Sequence, residues 1–353
     1  MKNIQNKVVV ITGASSGIGR ATALEIARNG GTVVLVSRRK TVLEELAHEC
    51  ESYGGKALAA PADVCREKEL TAVVKQVMDK YGKIDVWVNN AAITLLGPFE
   101  KTPLKDSKQV IETNVMGYMN GAHAVMPIFK KQGFGNLINV SSMVALTGQP
   151  FSAAYTVSKF AIRGLSFSLE QEYSDVKDIH VCSVLPSVID TPLFQSAANY
   201  MGKEIKAPEP VISAQKVAEA IMDLVIHPQK EVVVGYQGKV AKLLKNASSP
   251  KFDHQIRKKI LKDHFKKSSS AKSTGNLYTT NGRATISGGW LPEDKSKKDD
   301  GVTLGWGLVV AGLVASAYML VKSGMDSKPK TITEKISHQV KLNTPAFLKK
   351  VAW

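Results

Sequence analysis

Short apolar runs alternate with longer stretches of helical apolar spacing from residue 7 to about residue 236. The first run, Val8-Val9-Val10-Ile11, is unbroken and β-branched, which is typical of a strand buried on both faces of a parallel sheet. Strand and helix patterns that alternate in this way indicate βαβ units. We therefore predict an α/β fold with a doubly wound parallel sheet of about seven strands and helices on both faces. The predicted strands are 7–12, 32–36, 56–60, 84–88, 134–140, 179–185 and 231–235.

Three glycines, Gly13, Gly17 and Gly19, lie in the turn between the first predicted strand and the first predicted helix. Such glycines allow a tight turn, a close approach of the backbone to a phosphate and close packing of helix on strand. The free N–H groups and the positive dipole end of the helix favour a bound pyrophosphate. An ordinary tight loop is the alternative, but the strand before the motif and the helix after it favour a dinucleotide site.

The second predicted strand ends in Ser37-Arg38-Arg39, without an Asp or Glu. A carboxylate at this position binds the ribose 2′-hydroxyl of NAD, whereas an arginine accommodates the 2′-phosphate of NADP. Ser37 is small and polar, and the planar guanidinium of Arg38 suits a phosphate. The sequence therefore predicts a preference for NADP(H), with a solvated basic loop as the alternative.

Tyr155 and Lys159 are four residues apart, so a helix would place both on one face, and Ser142 precedes the tyrosine by thirteen residues. An ammonium beside a phenol stabilises the phenolate, and we therefore expect Lys159 to lower the pKa of Tyr155. A tyrosine tuned in this way can exchange a proton with a reacting oxygen, to which the serine hydroxyl can hydrogen-bond. The spacing alone is also typical of a half-buried ring beside a solvated lysine.

Taken together, residues 4–240 resemble the short-chain dehydrogenase/reductase family, which implies a Rossmann-type fold and a nicotinamide-dependent oxidoreductase. Two positions depart from the family pattern, because Ala92 and Ser187 stand where the family has glycine; both changes concern the shape of the nicotinamide pocket. The motifs that carry the resemblance are Thr12-Gly13-(x)3-Gly17-Ile18-Gly19, Asp63-Val64, Asn89-Asn90-Ala91-Ala92, Asn114, Ser142, Tyr155 and Lys159.

The resemblance implies a role for each matching residue. Tyr155 would be the general acid/base, Lys159 would lower its pKa and hold the nicotinamide ribose, and Ser142 would orient the substrate oxygen. Asn114 would hold a water that links Lys159 to solvent, and Ser141 is expected beside the nicotinamide. The implied cofactor contacts are Gly13, Ser15, Ser16, Gly17, Ile18, Gly19, Ser37, Arg38, Asp63, Val64, Asn90, Ala91, Tyr155, Lys159, Pro186, Val188 and Thr191.

Residues 183–212 contain four prolines and few regular signals. In the family that the chain resembles, the corresponding stretch covers the substrate. We therefore expect a mobile lid here, because lids are usually drawn from segments of low stability. An ordinary packed segment of loop and helix is the alternative.

The positive charge of the chain is concentrated in its last third. The 353 residues carry a formal net charge of +16. Residues 1–240 contain 26 Lys and Arg against 23 Asp and Glu, whereas residues 241–353 contain 21 against 8. A basic segment favours a nucleic acid or an anionic membrane surface as its partner. We expect no nucleic acid, because neither a recognition motif nor interleaved aromatic residues accompany the charge.

Residues 302–321 form a run of twenty residues without a charged side chain. About twenty apolar residues match a hydrocarbon core ~30 Å thick, and Trp306 and Tyr318 lie near the two ends, as interfacial aromatics do. We predict a single transmembrane helix here; a buried core helix or a re-entrant segment is the alternative. The predicted domains are a catalytic and dinucleotide-binding domain (1–240), a basic amphipathic helical segment (241–267), a flexible linker (268–301), the membrane helix (302–321) and a basic tail (322–353).

The amphipathic segment suits a membrane surface or a helix packed on the enzyme, and the sequence favours neither. The first predicted strand begins close to the start of the chain, so we expect no N-terminal signal and a membrane-associated protein whose catalytic domain faces the cytoplasm. Cys50, Cys65 and Cys182 form neither a metal pattern nor a disulfide framework, which suits a reducing compartment.

These patterns together predict an NADP(H)-dependent oxidoreductase that interconverts a secondary alcohol and a ketone or aldehyde. The predicted membrane helix favours a lipophilic substrate, such as a sterol, fatty or isoprenoid carbonyl. The alternative is a non-catalytic nucleotide-binding membrane scaffold, which would have no need of the four implied catalytic residues together. The resemblance also implies a homodimer or homotetramer formed through the helices that bear Asn114 and Tyr155.

Overall fold

The computed structural model describes residues 4–235, 250–280 and 282–291. Within these ranges, strands and helices alternate as the apolar pattern predicts. The strands are β1 (Val8–Thr12), β2 (Thr32–Ser37), β3 (Lys56–Pro61), β4 (Val86–Asn89), β5 (Leu95–Leu96), β6 (Gly135–Val140), β7 (Ile179–Pro186), β8 (Ile189–Asp190), β9 (Ala198–Asn199), β10 (Lys203–Ile205), β11 (Ile212–Ser213), β12 (Glu231–Val234) and β13 (Phe265–Ser269). The helices are α1 (Gly17–Arg28), α2 (Lys40–Ser52), α3 (Glu67–Tyr81), α4 (Leu104–Ile111), α5 (Gly117–Gln132), α6 (Val144–Thr147), α7 (Ala153–Glu172), α8 (Ala214–Ile226) and α9 (Pro250–Asp263).

Seven strands form one parallel sheet in the order β12-β7-β6-β4-β1-β2-β3. They are the seven predicted strands, and each begins and ends within two residues of its predicted bounds. The strand order reverses at β1, which pairs with β2 on one side and β4 on the other. The carboxyl ends of β1 and β4 therefore flank the crevice in which doubly wound sheets bind their ligands.

The sheet is buried on both faces because successive residues of each apolar run point to opposite sides. Val9 and Ile11 of β1 pack with α1, α2 and α8 in one core. Val8 and Val10 pack with α3 and α5 in a second core on the other face. The sheet and its two cores therefore hold in place the loops at the carboxyl edge, where the carboxyl ends of the parallel strands lie.

The segment 183–212, predicted as a lid, is held by three short strand pairings. Strand β8 pairs with β11, β9 pairs with β5, and β10 pairs with β13. The last pairing joins the segment to a strand that lies sixty residues further along the chain, at Phe265–Ser269. The mobility of the lid stays a prediction.

The chain packs on the catalytic domain again after residue 250. Ile260 and Leu261 of α9 lie against a buried cluster that contains Leu96, Ile205 and Phe265. The sequence left two alternatives for the amphipathic segment, a membrane-surface helix and a helix packed on the enzyme. The contacts of α9 match the second alternative.

The flexible linker predicted over 268–301 is wrong for residues 268–280 and 282–291. Leu277 is only 1% exposed, in a cluster with Ile93, Leu95 and Val110, and the residues after it hydrogen-bond to the carboxyl edge of the sheet. The compact unit accordingly includes residues 250–280 and 282–291, beyond the predicted domain limit at residue 240. The polar composition predicted a linker because hydrogen bonds made by backbone carbonyls leave no signature in side-chain type.

The predicted membrane helix at 302–321 and the predicted tail at 322–353 lie outside the described residues, as does most of the amphipathic segment before residue 250. Among the residues that the structure does describe, no helix is both long and apolar enough to cross a membrane.

Candidate active site

The glycine turn after β1 is packed too closely for side chains. A Cβ on Gly13 would lie 2.7 Å from Cα of Ala91, and a Cβ on Gly19 would lie 2.4 Å from the carbonyl oxygen of Gly13. Gly13 and Gly17 also have positive φ angles of 67° and 56°, which glycine adopts without strain. The turn thus leaves backbone rather than side chains facing the crevice, as the predicted phosphate contact requires.

Asn90 and Ala91 join the ends of β1 and β4. The Asn90 side chain donates to the carbonyl oxygens of Thr12 (2.9 Å) and Gly13 (3.3 Å), and the backbone N–H groups of Asn90 and Ala91 donate to Oγ1 of Thr12 at 2.9 and 3.2 Å. Because this network spans the two strands, it fixes the width of the crevice at the glycine turn.

Two predicted residues, Ser37 at the end of β2 and Ser15 in the glycine turn, are joined through a residue that the prediction left out, Arg39. Its guanidinium donates to Oγ of Ser15 from Nε (3.0 Å) and Nη2 (2.7 Å), and its backbone N–H donates to Oγ of Ser37 at 3.1 Å. Arg38 is exposed beside it. Burial, together with the nearby charges of Arg20 and Arg38, lowers the pKa of Arg39. The signal in the sequence that could have pointed to Arg39 was its place as the second arginine of the run Ser37-Arg38-Arg39.

The other predicted cofactor residues lie on the loops of the same edge. Asp63 and Val64 follow β3, and Asp63 Oδ1 accepts a hydrogen bond from the backbone of Cys65 at 3.0 Å. Ser16 precedes α1 at its N-cap position, and Ile18 lies in its first turn. Pro186 ends β7, and Val188 and Thr191 flank β8.

The three residues predicted for proton transfer are brought together beside β6. Ser142 hydrogen-bonds to Tyr155, and Lys159 Nζ lies 5.5 Å from the centre of the tyrosine ring. Lys159 is 2% exposed and donates to the carbonyl oxygen of Val140 at 2.9 Å. Helix α7 carries the tyrosine and the lysine on one face, as their spacing predicts.

The predicted pKa shift of Tyr155 is wrong in direction. Burial raises the pKa of Tyr155 to about 12, and the hydrogen bond from Ser142 opposes this only in part. Burial also lowers the pKa of Lys159 to about 7. The amine lies over the ring and donates to Val140 rather than to the phenol oxygen, and both groups are desolvated, so the loss of hydration outweighs their attraction.

Asn114 lies in a π-helical turn, Glu112–Met116, between α4 and α5. Its side chain exchanges two hydrogen bonds of 2.9 Å with the backbone of Ile93 and donates to Oγ of Ser158 at 3.0 Å. Ser158 is adjacent to Lys159, so Asn114 links the loop after β4 to the helix that carries Tyr155 and Lys159. The water predicted at this residue stays a prediction.

The two neighbouring serines at the end of β6 have different partners. Ser142 reaches Tyr155, whereas Ser141 Oγ donates to the carbonyl oxygen of Lys159 at 2.9 Å. The thirteen-residue spacing therefore selects the serine that contacts the tyrosine. Ser141 is 3% exposed and ties β6 to α7, and its expected place beside the nicotinamide stays a prediction.

A segment that the prediction missed lies along the same edge of the sheet. We call residues 277–280 and 282–290 the strap. Thr279 O accepts from Arg38 Nη2 (3.3 Å), Gly282 O accepts from Arg39 Nη1 (2.6 Å), and Thr285 O accepts from the backbone N–H of Gly17 (2.9 Å). The strap thus contacts the end of β2 and the N-terminus of α1.

Both ends of the strap are held by carboxylates. Tyr278 OH donates to Asp106 at 2.7 Å, which also accepts a hydrogen bond from Tyr200. At the other end Asp190 accepts from Ser287 Oγ (2.6 Å) and from the backbone N–H groups of Gly288 (3.0 Å) and Trp290 (2.9 Å). The Trp290 indole donates to Thr191 O at 3.1 Å. The isolated apolar residues Leu277, Tyr278, Ile286 and Trp290 in a polar segment were the sequence signal.

The sequence profile described as short chain dehydrogenase matches residues 7–201. The uncharacterized oxidoreductase YxnA of Bacillus subtilis (strain 168) is 31% identical over 326 residues, which cover 90% of this chain and 91% of YxnA. The chain therefore belongs to the short chain dehydrogenase family. Because the similarity to YxnA spans more than residues 4–235, it includes part of the chain that follows the catalytic sheet.

Solved structures similar to this chain include enzymes with bound nicotinamide cofactors. An alcohol dehydrogenase from the archaeon Thermococcus sibiricus, complexed with 5-hydroxy-NADP, is 27% identical with a TM-score of 0.57, covering 65% of this chain and 95% of that one. A 3-ketoacyl-(acyl-carrier-protein) reductase from Brucella melitensis, complexed with NADH, is 27% identical with a TM-score of 0.58, covering 65% of this chain and 96% of that one. The protein is thus an oxidoreductase of a family that binds nicotinamide cofactors.

Proposed function

We propose that this protein is an NADP(H)-dependent oxidoreductase that interconverts a secondary alcohol and a ketone or aldehyde. The observation that carries the proposal is the group formed by Ser142, Tyr155 and Lys159, which lies at the carboxyl edge of the sheet that also bears the glycine turn. A phenol paired with a serine hydroxyl can bind one carbonyl oxygen from two sides.

In the direction of reduction, Tyr155 donates its proton to the carbonyl oxygen while Ser142 hydrogen-bonds to the same atom. A pKa of about 12 keeps the phenol protonated at neutral pH, which is the state that a proton donor needs. The amine of Lys159, with a pKa of about 7, lies next to the ring and can carry a proton in the same pH range. The nicotinamide cofactor supplies or accepts the hydride.

The residues at the carboxyl edge fit such a cofactor. The glycine turn brings backbone to the crevice, since a Cβ at Gly13 or Gly19 would meet the atoms opposite at less than van der Waals distance. Arg38 and Arg39 stand at the end of β2, with Arg20 close enough to lower the pKa of Arg39. Two guanidiniums and no carboxylate in the run Ser37-Arg38-Arg39 support a 2′-phosphate at this place, because phosphate matches the planar arginine fork.

The test is turnover by the purified chain with NADPH and a panel of carbonyl compounds, beside Tyr155→Phe and the matched control Tyr53→Phe. Tyr53 is exposed at the end of α2, on the amino side of the sheet. We expect Tyr155→Phe to lose carbonyl reduction by at least about a hundredfold while it still binds NADPH, and Tyr53→Phe to match the wild type. Equal turnover by all three proteins would refute the assigned chemistry. NADPH binding without any turnover on the panel would instead favour the scaffold alternative.

We further propose a lipophilic carbonyl substrate that reaches the enzyme from a membrane. The support is the sequence 302–321, which has the length and composition of a membrane helix and is followed by Lys322. Flotation of the full-length chain with liposomes tests the attachment, and a protein that stays at the bottom of the gradient would refute it.

An oligomer formed through α5 and α7 is also proposed. The support is that five large apolar side chains on or next to these helices are more than a third exposed, and a contact between two chains through these helices would bury them. Light scattering that gives the mass of one chain would refute it. These side chains are Met116, Met119, Val157, Phe160 and Phe167.

A further inference from the structure

We propose that the middle of the strap, residues 279–280 and 282–286, occupies the crevice proposed for the cofactor and leaves it when NADP(H) binds. We call this crevice, with the glycine turn and the end of β2, the groove. This inference rests on the cofactor site proposed above. It assigns to the chain after β13 a role in setting cofactor affinity.

The first support is the hydrogen bond at the start of α1. The backbone N–H of Gly17 donates to the carbonyl oxygen of Thr285 at 2.9 Å. Free N–H groups at this helix N-terminus are what a dinucleotide uses to bind its pyrophosphate. The carbonyl of Thr285 and a phosphate oxygen are both acceptors, so they compete for one donor.

The second support is the state of the two arginines after β2. Arg38 donates to the carbonyl oxygen of Thr279, and Arg39 donates to that of Gly282. A 2′-phosphate would use the same guanidinium donors and, as an anion, would form stronger hydrogen bonds than a neutral carbonyl. The strap therefore meets the groove at the groups proposed for the pyrophosphate and at those proposed for the 2′-phosphate.

The third support is the difference between the middle of the strap and its ends. Leu277 is buried and Asp190 receives three hydrogen bonds from residues 287–290, so both ends are held firmly. In the middle, Thr279, Arg283 and Thr285 are exposed, and Ile286 is the side chain that packs partly against the core. A segment held at both ends by side chains and in between mainly by carbonyl oxygens can leave the groove without unfolding its attachments.

Competition of this kind lowers the apparent affinity for the cofactor. If only a fraction of the molecules has an open groove, the apparent Kd is the intrinsic Kd divided by that fraction. A substitution that weakens the contacts of the middle of the strap therefore lowers the Kd for NADPH. The same type of substitution away from the groove does not.

The first experiment measures the Kd of NADPH, from its own fluorescence, for the full-length wild type, Ile286→Ala and the control Ile128→Ala. Ile128 is also partly buried against a core, but near the C-terminal end of α5, away from the crevice. We expect Ile286→Ala to bind NADPH about five- to tenfold more tightly than the wild type, since it loses half-buried apolar contact that holds the strap. Ile128→Ala should leave the Kd unchanged. An equal or weaker affinity of Ile286→Ala overturns the proposal, because a strap that helps to retain the cofactor gives the opposite sign.

The second experiment uses trypsin, which cleaves after the exposed Arg283 in the middle of the strap. We expect saturating NADPH to raise the rate of cleavage at Arg283 several-fold, because the displaced segment is more accessible. An unchanged or slower rate overturns the proposal.

The binding measurements distinguish a failure of this inference from a failure of the proposed function. NADPH that binds with the same Kd to wild type, Ile286→Ala and Ile128→Ala overturns the strap proposal alone. If neither NADPH nor NADH binds to any of the three proteins, the proposed cofactor use fails, and the strap proposal fails with it.

Discussion

Replacing Lys159 with methionine should make the stability of the protein less dependent on pH between 7 and 9. Lys159 is 2% exposed and its amine donates to Val140 O at 2.9 Å. Burial lowers its pKa from 10.5 to about 7. Methionine keeps an unbranched side chain of similar length in the same space but has no group that titrates.

The magnitude follows from the two pKa values. The native-state pKa lies below that of the unfolded chain, so between pH 7 and pH 10.5 the unfolded state binds more protons than the native state. Stability therefore rises with pH across this interval and falls as the pH drops towards 7. At about 1.4 kcal/mol per pH unit, and with the native amine half protonated at pH 7, Lys159 should add about 2 kcal/mol to the free energy of unfolding between pH 7 and pH 9.

The assay is urea unfolding of the wild type and Lys159→Met at pH 7, 8 and 9. The difference in unfolding free energy, wild type minus variant, should grow by about 2 kcal/mol across the series. The loss of the hydrogen bond to Val140 adds an offset, which is the same at each pH. Lys105→Met, which removes an exposed amine on α4, should show a constant difference from the wild type. A Lys159→Met difference that is equally constant would refute the desolvated amine and the pKa reasoning built on it.

Two further substitutions test the cofactor groove. Ser37→Asp places a carboxylate at the end of β2, beside Arg38 and Arg39, and should raise the Kd for NADPH at least about tenfold relative to that for NADH, because a carboxylate repels a 2′-phosphate. Gly19→Ala puts a methyl group 2.4 Å from Gly13 O and should destabilise the protein by about 1–3 kcal/mol and weaken NADPH binding, measured by urea unfolding and by cofactor fluorescence.

Each of these has a matched control. Ser174→Asp adds the same charge at an exposed position just after α7 and should leave both cofactor affinities unchanged. Gly164→Ala, in the interior of α7 with nothing within 4 Å of the added carbon, should stabilise the protein by up to about 1 kcal/mol through helix propensity. An unchanged ratio of NADPH to NADH affinity in Ser37→Asp, or a Gly19→Ala protein as stable as Gly164→Ala, would contradict the groove as described.

Much of the catalytic domain could be predicted from the sequence because its signals are local. The unbroken run Val8–Ile11 predicts a strand buried on both faces, and the structure places its residues alternately in two cores. The glycine spacing predicts a turn without side chains, and a Cβ at Gly19 would indeed collide with Gly13 O. The spacing of Tyr155 and Lys159 placed both on one face of α7, and the offset to Ser142 selected the serine that contacts the tyrosine.

Two properties depended on the tertiary structure. The direction of the pKa shifts of Tyr155 and Lys159 is decided by how deeply both groups are buried and where the amine donates its hydrogen bond, and neither can be derived from a four-residue spacing. The contacts of the middle of the strap with β2 and α1 are made by the carbonyl oxygens of Thr279, Gly282 and Thr285, which every residue type carries. The sequence therefore determined the sheet and the residues of the candidate active site. Only the tertiary structure decided which donors the strap carbonyls accept from, and whether burial or charge sets the pKa values of Tyr155 and Lys159.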